Sequence, residues 1–452
     1  MSERWEQVAE TQLTKPEQSA DVAIIGAGPA GLTAAARLRK LAPGAKVIVL
    51  EREGQAGGIP RHAFHQGYGL RDLHTSLSGP AYAQRLVERA AAADADLRLR
   101  TQVTGWSDDG ALEMTSPAGV SHLYARAVVL SSGCRERPRS ARMVAGSRPA
   151  GVMTTGTLQQ LVYLHGKAPG TRAVVVGAEH VAFSAVSTLA HGGASTVAIT
   201  TELPRHQSYA AFRWGAAARY STISGAVPKP LALLTRTAVV EIHGGERVTA
   251  VTVLDLNSGA SRVIECDTVV FTGDWIPDHE LAVSAGLGLD EGTRGPRVDG
   301  ALRTARAGLF AAGNVLHGAE TGDVAALSGR HVAGAVADFL GGERWPRSLV
   351  PIECAPPLHW VVPNAVEARM AASARARDDA PAAPPRDRYL LRAHEELIDV
   401  RIAISQDGRA LGSARLARVM AGRSAALDTA WATAVNPGGG PVAIRVTKAR
   451  RR

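Results

Sequence analysis

The stretch from residue 21 to residue 51 constrains this chain more than any other. Residues 21–25, Asp-Val-Ala-Ile-Ile, form a short β-branched run of the buried-strand type. They lead directly into Gly26-Ala27-Gly28-Pro29-Ala30-Gly31, and residues 32–41 then read as a helix rich in Ala and Leu. Gly26 permits the tight strand-to-helix turn, Gly28 lets the backbone lie close to a pyrophosphate, and Gly31 lets the helix pack on the strand. The helix N-terminus offers free N–H groups and a positive dipole end to the phosphates. A second strand over residues 46–50 ends at Glu51. That acid stands about 20 residues after Gly31, the spacing of a carboxylate that bonds a ribose 2′-hydroxyl. The pattern predicts a Rossmann unit that binds a dinucleotide.

The remaining composition narrows the class. A chain of 452 residues is long enough for two or three domains with real cores. Aromatics make up only 4% of the chain, too few for stacking platforms that hold single-stranded nucleic acid. The net charge of +9 comes from basic residues spread along the sequence, apart from the Lys448 to Arg452 tail, and no nucleic-acid partner is expected. No apolar run reaches the length of a membrane span and no signal peptide pattern precedes residue 20, so the chain reads as cytoplasmic. Cys134, Cys266 and Cys354 are far apart and form no Cys-x-x-Cys pair. A redox disulfide of adjacent cysteines and a self-contained four-cysteine iron–sulfur site are excluded, and no metal site is expected.

Several further segments carry a resemblance. Arg52 follows the ribose acid, Gly57-Gly58 follows shortly after, and Val103 lies in a strand-like run. Residues 127–133, Ala-Val-Val-Leu-Ser-Ser-Gly, form a strand-plus-glycine containing Ser132 and Gly133, and residues 308–314 read Gly-Leu-Phe-Ala-Ala-Gly-Asn. From about residue 20 to 340 the chain resembles two-dinucleotide-domain flavoproteins of the glutathione-reductase-like fold, in the pyridine nucleotide-disulfide oxidoreductase superfamily. The resemblance implies that FAD is the working cofactor. It implies that Gly57 and Gly58 turn the chain toward the flavin, that Val103 meets the adenine, and that Ser132 and Gly133 return to the FAD. It makes Gly313 and Asn314 the second FAD signature, with Asn314 where relatives usually carry a ribityl-holding Asp. A helix over residues 323–340 would aim its N-terminus at the flavin. A narrower likeness lies in Gly57 to His62, Phe64 to Leu70 and Ser78 to Tyr82. It is similar to FAD subunits of the opine oxidase, hydrogen cyanide synthase and glycerol-3-phosphate-linked dehydrogenase type, and implies a reaction class, not a substrate.

A second strand-turn-helix pattern begins at Ala173, where that family binds NAD(P)H. Gly177 and Ala182 fit its first and third places, but Glu179 occupies the second, which needs bare backbone for a pyrophosphate. A carboxylate there adds bulk and like-charge repulsion. The unit reads as a retained scaffold, with Arg205 keeping a 2′-phosphate open, so NAD(P)H is doubtful as a cofactor.

Near the flavin the disulfide reductases of this fold carry a cysteine pair, whereas residues 60–65 here hold Pro60, Arg61, His62, Ala63, Phe64 and His65. His65, and secondarily His62, are the candidate catalytic bases. Arg61 is a candidate grip on the cofactor pyrophosphate or on a substrate carboxylate. His317 and Glu320 read as helix-entry residues close to the same ring.

The expected fold is α/β. Two Rossmann-like three-layer domains are predicted, an FAD domain (1–150 and 270–345) with an inserted NAD(P)-like domain (151–269). A Pro-rich linker and a small C-terminal β-rich module fill 346–452. The expected function is an FAD-dependent dehydrogenase or oxidase of a small amine, amino acid or hydroxy acid. The expected partners are that substrate and an electron-transfer or second catalytic subunit, with the chain itself oligomeric. An NAD(P)H-dependent reductase and a non-catalytic flavoprotein subunit stand as alternatives.

Overall fold

A computed structural model describes residues 18–208, 232–318, 320–367 and 381–451. The first strand, Gln18–Ile25, pairs in parallel with Gly119–Leu130 along its length and, over Val22–Ile25, also with Val47–Leu50 on its other side. Both faces of such a strand are buried, which is why its second half reads as an unbroken apolar run. Asp96–Arg98 extends the sheet beyond Val47–Leu50, and Leu309–Ala311 pairs in parallel with the end of Gly119–Leu130. Antiparallel strands Leu112–Ser116 and Gln102–Trp106 complete it. The helix Pro29–Leu41 starts inside the fingerprint, earlier than expected, because Pro29 suits the first helical position. It packs against Gly322–Leu340 and Gly79–Ala92 over a core that includes Ile24, Leu32, Ile48 and Phe310.

The inserted unit repeats the plan. Its parallel sheet runs Val152–Thr154, Thr268–Phe271, Arg172–Val176, Ser195–Thr200 and Leu233–Leu234. The helix His180–His191 packs on it, and a four-stranded sheet follows. Two short antiparallel strands, Cys134–Glu136 and Trp275–Pro277, carry the chain out of the flavin-type unit and back. The expected insertion of one unit into the other is therefore visible in the connections.

The C-terminal strands form a five-stranded sheet and a three-stranded one around their own core of Tyr389, Leu391, Val400, Ile402, Trp431 and Ile444. Residues 1–17 and 368–380 lie outside the described residues. This module is tied to the flavin-type unit through buried polar groups. Arg303, 4% exposed, donates to Asp299 at 2.8 Å and to Glu367 at 2.7 Å. Asn364 accepts from the Val298 N–H at 2.8 Å, and Trp360 and Val362 join the first unit's core. No helix among the described residues is long and apolar enough to cross a membrane.

Candidate functional site

The three parts of the chain meet around one cavity of about 1980 Å³. Drug-sized ligand pockets run to ~300–1,000 Å³, so this space admits a dinucleotide and a further small molecule. The first fingerprint forms one end of it. A Cβ on Gly26, whose φ is +103°, would stand 2.5 Å from the Ser131 carbonyl oxygen, and one on Gly31 only 2.0 Å from the Gly26 oxygen. Those two glycines serve the protein's own packing. A Cβ on Gly28 would meet nothing within 4 Å, and Gly28 borders the cavity. Its open side faces the cavity.

Glu51 is oriented at the same end, with one oxygen accepting from the Ala27 N–H at 2.8 Å and the other from the Glu53 N–H at 2.9 Å. Pro29, Ala30, Arg52, Gly58 and Val103 also border the cavity. Arg61 bonds Gln55 and pairs with Glu53 at 3.5 Å, while its Nε is buried with no hydrogen-bond partner among the described residues. Such an orphaned donor in a cavity wall fits an anionic cofactor. Ser132 donates to the Asp278 oxygen at 2.8 Å beside Gly133, and both reach the cavity. Gly31, Gly57 and Gly313 stand behind the wall. A Cβ on Gly57 would press on Ala83 and one on Gly313 on Ala30. Asn314 borders the cavity, and its side-chain amide donates to and accepts from Glu320 backbone groups at 3.1 Å, which shapes the entry to the helix Gly322–Leu340. The donor set and the cavity-facing bareness of Gly28 fit FAD.

The two histidines separate. His62 is 3% exposed, with Nδ1 3.4 Å from the Gln159 amide oxygen of the inserted unit. Burial pushes its pKa below the ordinary histidine value, with Gln159 opposing. His65 is half-buried, with Nδ1 3.0 Å from the Gln66 oxygen and its ring stacked 5.0 Å from Tyr68. Both border the cavity. His317 does not. Its ring stacks 4.8 Å from Trp360, and burial holds its pKa down at about 4, which makes it a neutral docking residue. Glu320 is an anchor too, accepting from Arg392 at 3.1 Å and from Ser424.

In the second fingerprint Glu179 takes the helix N-cap position, its carbonyl accepting from the Ala182 N–H at 3.1 Å, but its side chain caps no helix N–H. Its carboxylate lies in the turn, 2.8 Å from a Cβ built on Gly177 and 3.0 Å from one on Gly273, with the Thr272 hydroxyl bonded to it. Burial raises its pKa, so bulk in the cradle weighs more, and repulsion less, than the sequence pattern implies. Glu136, on the first connecting strand, accepts from the Gly156 N–H at 2.7 Å, and burial raises its pKa to about 7. Neither Glu136 nor the cavity-lining groups of the C-terminal module, His359, Arg392, His394 and Arg423, had a local sequence signal. Chain topology alone brings them to the flavin-type unit.

The fold and this site define an FAD-dependent oxidoreductase with a second, dinucleotide-type unit. The profile of the pyridine nucleotide-disulphide oxidoreductase family matches residues 20–329, and the chain belongs to that family. FAD is its cofactor. An opine oxidase subunit from Agrobacterium tumefaciens is 30% identical over 71% of this chain and 66% of its own length. The alpha subunit of sarcosine oxidase from a Corynebacterium species is 29% identical over 57% of this chain, which spans only 26% of that longer protein. Ferredoxin–NADP reductase 1 of Bacillus velezensis is 28% identical over 66% of this chain and 84% of its own length. The thioredoxin reductase of Lactococcus lactis shares the fold, with a TM-score of 0.57 at 16% identity over 72% of this chain and all of its own. The family match ends before the C-terminal module.

Proposed function

We propose that this chain oxidises a small amine, amino acid or hydroxy acid at its FAD, as one subunit of an assembly that hands the electrons on. The observation that carries the reading is Glu179, whose side chain fills the cradle in which a nicotinamide dinucleotide would rest its pyrophosphate. The opine oxidase and sarcosine oxidase relatives, both named as subunits, support it. Bound FAD supplies the hydride acceptor. The protein's part is to hold the substrate against it, exclude water and take the proton that the substrate N–H or O–H loses. His62 suits that last task, because a histidine neutral at pH 7 accepts a proton directly and Gln159 orients its ring. His65 is the alternative base. The expected partners remain a small-molecule substrate and an electron-accepting subunit, without nucleic acid.

Two results test this. Anaerobic mixing of the holoprotein with NADH or NADPH is expected to leave the flavin band unbleached over seconds, and rapid bleaching would sink the reading. His62→Asn is expected to lower turnover by roughly 10²–10⁴-fold, as loss of a general base does. In the wild type, activity should fall as pH drops through a value below the ordinary histidine pKa of 6.5, because protonation removes the base. An acid limb that persists unchanged in His62→Asn assigns the role to His65 or another group. The second reading, an NAD(P)H-dependent reductase, is favoured by the ferredoxin–NADP reductase relative, most of whose length is matched. It requires the bleaching just described.

A further inference from the structure

The inserted unit grips the flavin loop at two points. Its short helix Thr155–Gln159 runs on into the wider turn Gln160–Leu164. Gln159, where the two join, faces His62, with Oε1 3.4 Å from the imidazole Nδ1. Four residues on, Tyr163 stacks on Phe64 with ring centroids 4.3 Å apart and planes 14° from parallel. His62 and Phe64 are separated only by Ala63, so the paired contacts leave that loop little freedom to turn.

The gripping segment is itself anchored. Glu136 pins its first turn, accepting from the Gly156 N–H at 2.7 Å. Gln159 is 5% exposed, and its amide Nε2 donates to the Ser184 hydroxyl at 3.1 Å. Ser184 lies on the helix His180–His191, which opens from the second fingerprint. His62, Gln159 and Ser184 all border the cavity. With the amide nitrogen committed to Ser184, the amide oxygen is left for His62, and an oxygen can only accept. The imidazole then carries its proton on Nδ1, because the hydrogen bond at one ring nitrogen sets the state of the other. Nε2 of the ring keeps its lone pair.

We propose that the inserted unit serves the flavin chemistry as a positioning element, in which Ser184 and Gln159 hold His62 in the Nδ1–H tautomer and leave its Nε2 as the proton acceptor. The inference rests on the reading that His62 is the base. In that step the substrate N–H or O–H proton goes to the Nε2 lone pair, and the electron pair it leaves closes the C=N or C=O bond. The hydride departs from the same carbon to the bound flavin. The imidazolium so formed keeps its Nδ1–H on the Gln159 oxygen. A unit whose second fingerprint holds the Glu179 side chain thus has a role that needs no nucleotide.

Nitrogen NMR of the FAD-loaded protein, with isotope-labelled histidine, tests this without turnover. The His62 signals are those missing from His62→Asn. At a pH where the ring is neutral, Nδ1–H is expected to outweigh Nε2–H by roughly ten to one in the parent, the preference that one hydrogen bond supports. Gln159→Leu removes the acceptor and should bring the ratio to about one or below. Ser184→Ala frees the amide to turn and should lower the ratio roughly three-fold. Tyr163→Leu loosens the loop without touching Nδ1 and should keep the parent ratio. Nε2–H as the main form in the parent overturns the proposal, as does an unchanged ratio in either Gln159→Leu or Ser184→Ala. If Gln159→Leu loses FAD or folds poorly, Ser184→Ala alone decides. A fall in Tyr163→Leu equal to that in Ser184→Ala also overturns it, because looseness alone would then set the tautomer. Unchanged turnover in His62→Asn would instead overturn the reading of His62 as the base, whatever tautomer it holds, so the two failures are distinguishable.

Discussion

Gly28→Val is expected to give a folded protein that purifies without its yellow colour. A Cβ at this position meets no protein atom within 4 Å, so the packing of the first unit is expected to stay intact. The added bulk projects into the space a pyrophosphate needs, at a cost of about 3 kcal/mol, or on the order of a hundred-fold in FAD affinity. The flavin-to-protein ratio, with circular dichroism as a check on folding, measures it. Gly31→Val is the contrasting case. Its side chain would collide with the Gly26 carbonyl at 2.0 Å, so loss of FAD there should come with loss of the fold. Equal FAD content in Gly28→Val and the parent would remove this turn from the cofactor site.

Arg303→Ala is the second large effect. Arg303 links Asp299, which is wholly buried, to Glu367 of the C-terminal module. Removing the guanidinium leaves the buried Asp299 carboxylate without its counter-ion and cuts the link to Glu367, and loss of one partner of a buried pair typically destabilises by about 3–5 kcal/mol. Because the pair joins two parts of the chain, the C-terminal module is expected to loosen first. Urea unfolding should show an earlier transition in the variant, and proteolysis should cut first beyond residue 345. A single transition at the parent midpoint would mean that Trp360, Val362 and Asn364 hold the module without Arg303.

Legibility in the sequence differs from part to part of the molecule. The strand, turn and first helix are legible, because a parallel strand buried on both faces and a glycine turn onto a helix leave local patterns. The helix begins a few residues before its apolar pattern does, since Leu32 marks the buried face whereas Pro29 marks the backbone. Both histidines of the flavin loop stand out in the sequence, but their order does not. Sequence ranks His65 above His62, while burial and the Gln159 contact distinguish His62, and Gln159 lies almost a hundred residues away. His317 and Glu320 are visible as residues near the ring. Their partners Trp360 and Arg392 belong to the C-terminal module, and contacts of that separation have no sequence period to announce them.

By itself the sequence pointed to a dinucleotide-type turn that starts with Gly26, and to Glu179 in the place where the second turn would need bare backbone. Both are local consequences of how closely a backbone can approach a phosphate. Only the tertiary structure decided where the Glu179 carboxylate lies, against Gly177 and Gly273, where burial favours its neutral form. Only it brought Glu320 of the flavin-type unit to Arg392 and Ser424 of the C-terminal module, at the edge of one cavity. Those residues come from distant parts of the chain, and contacts of that separation leave no spacing along it.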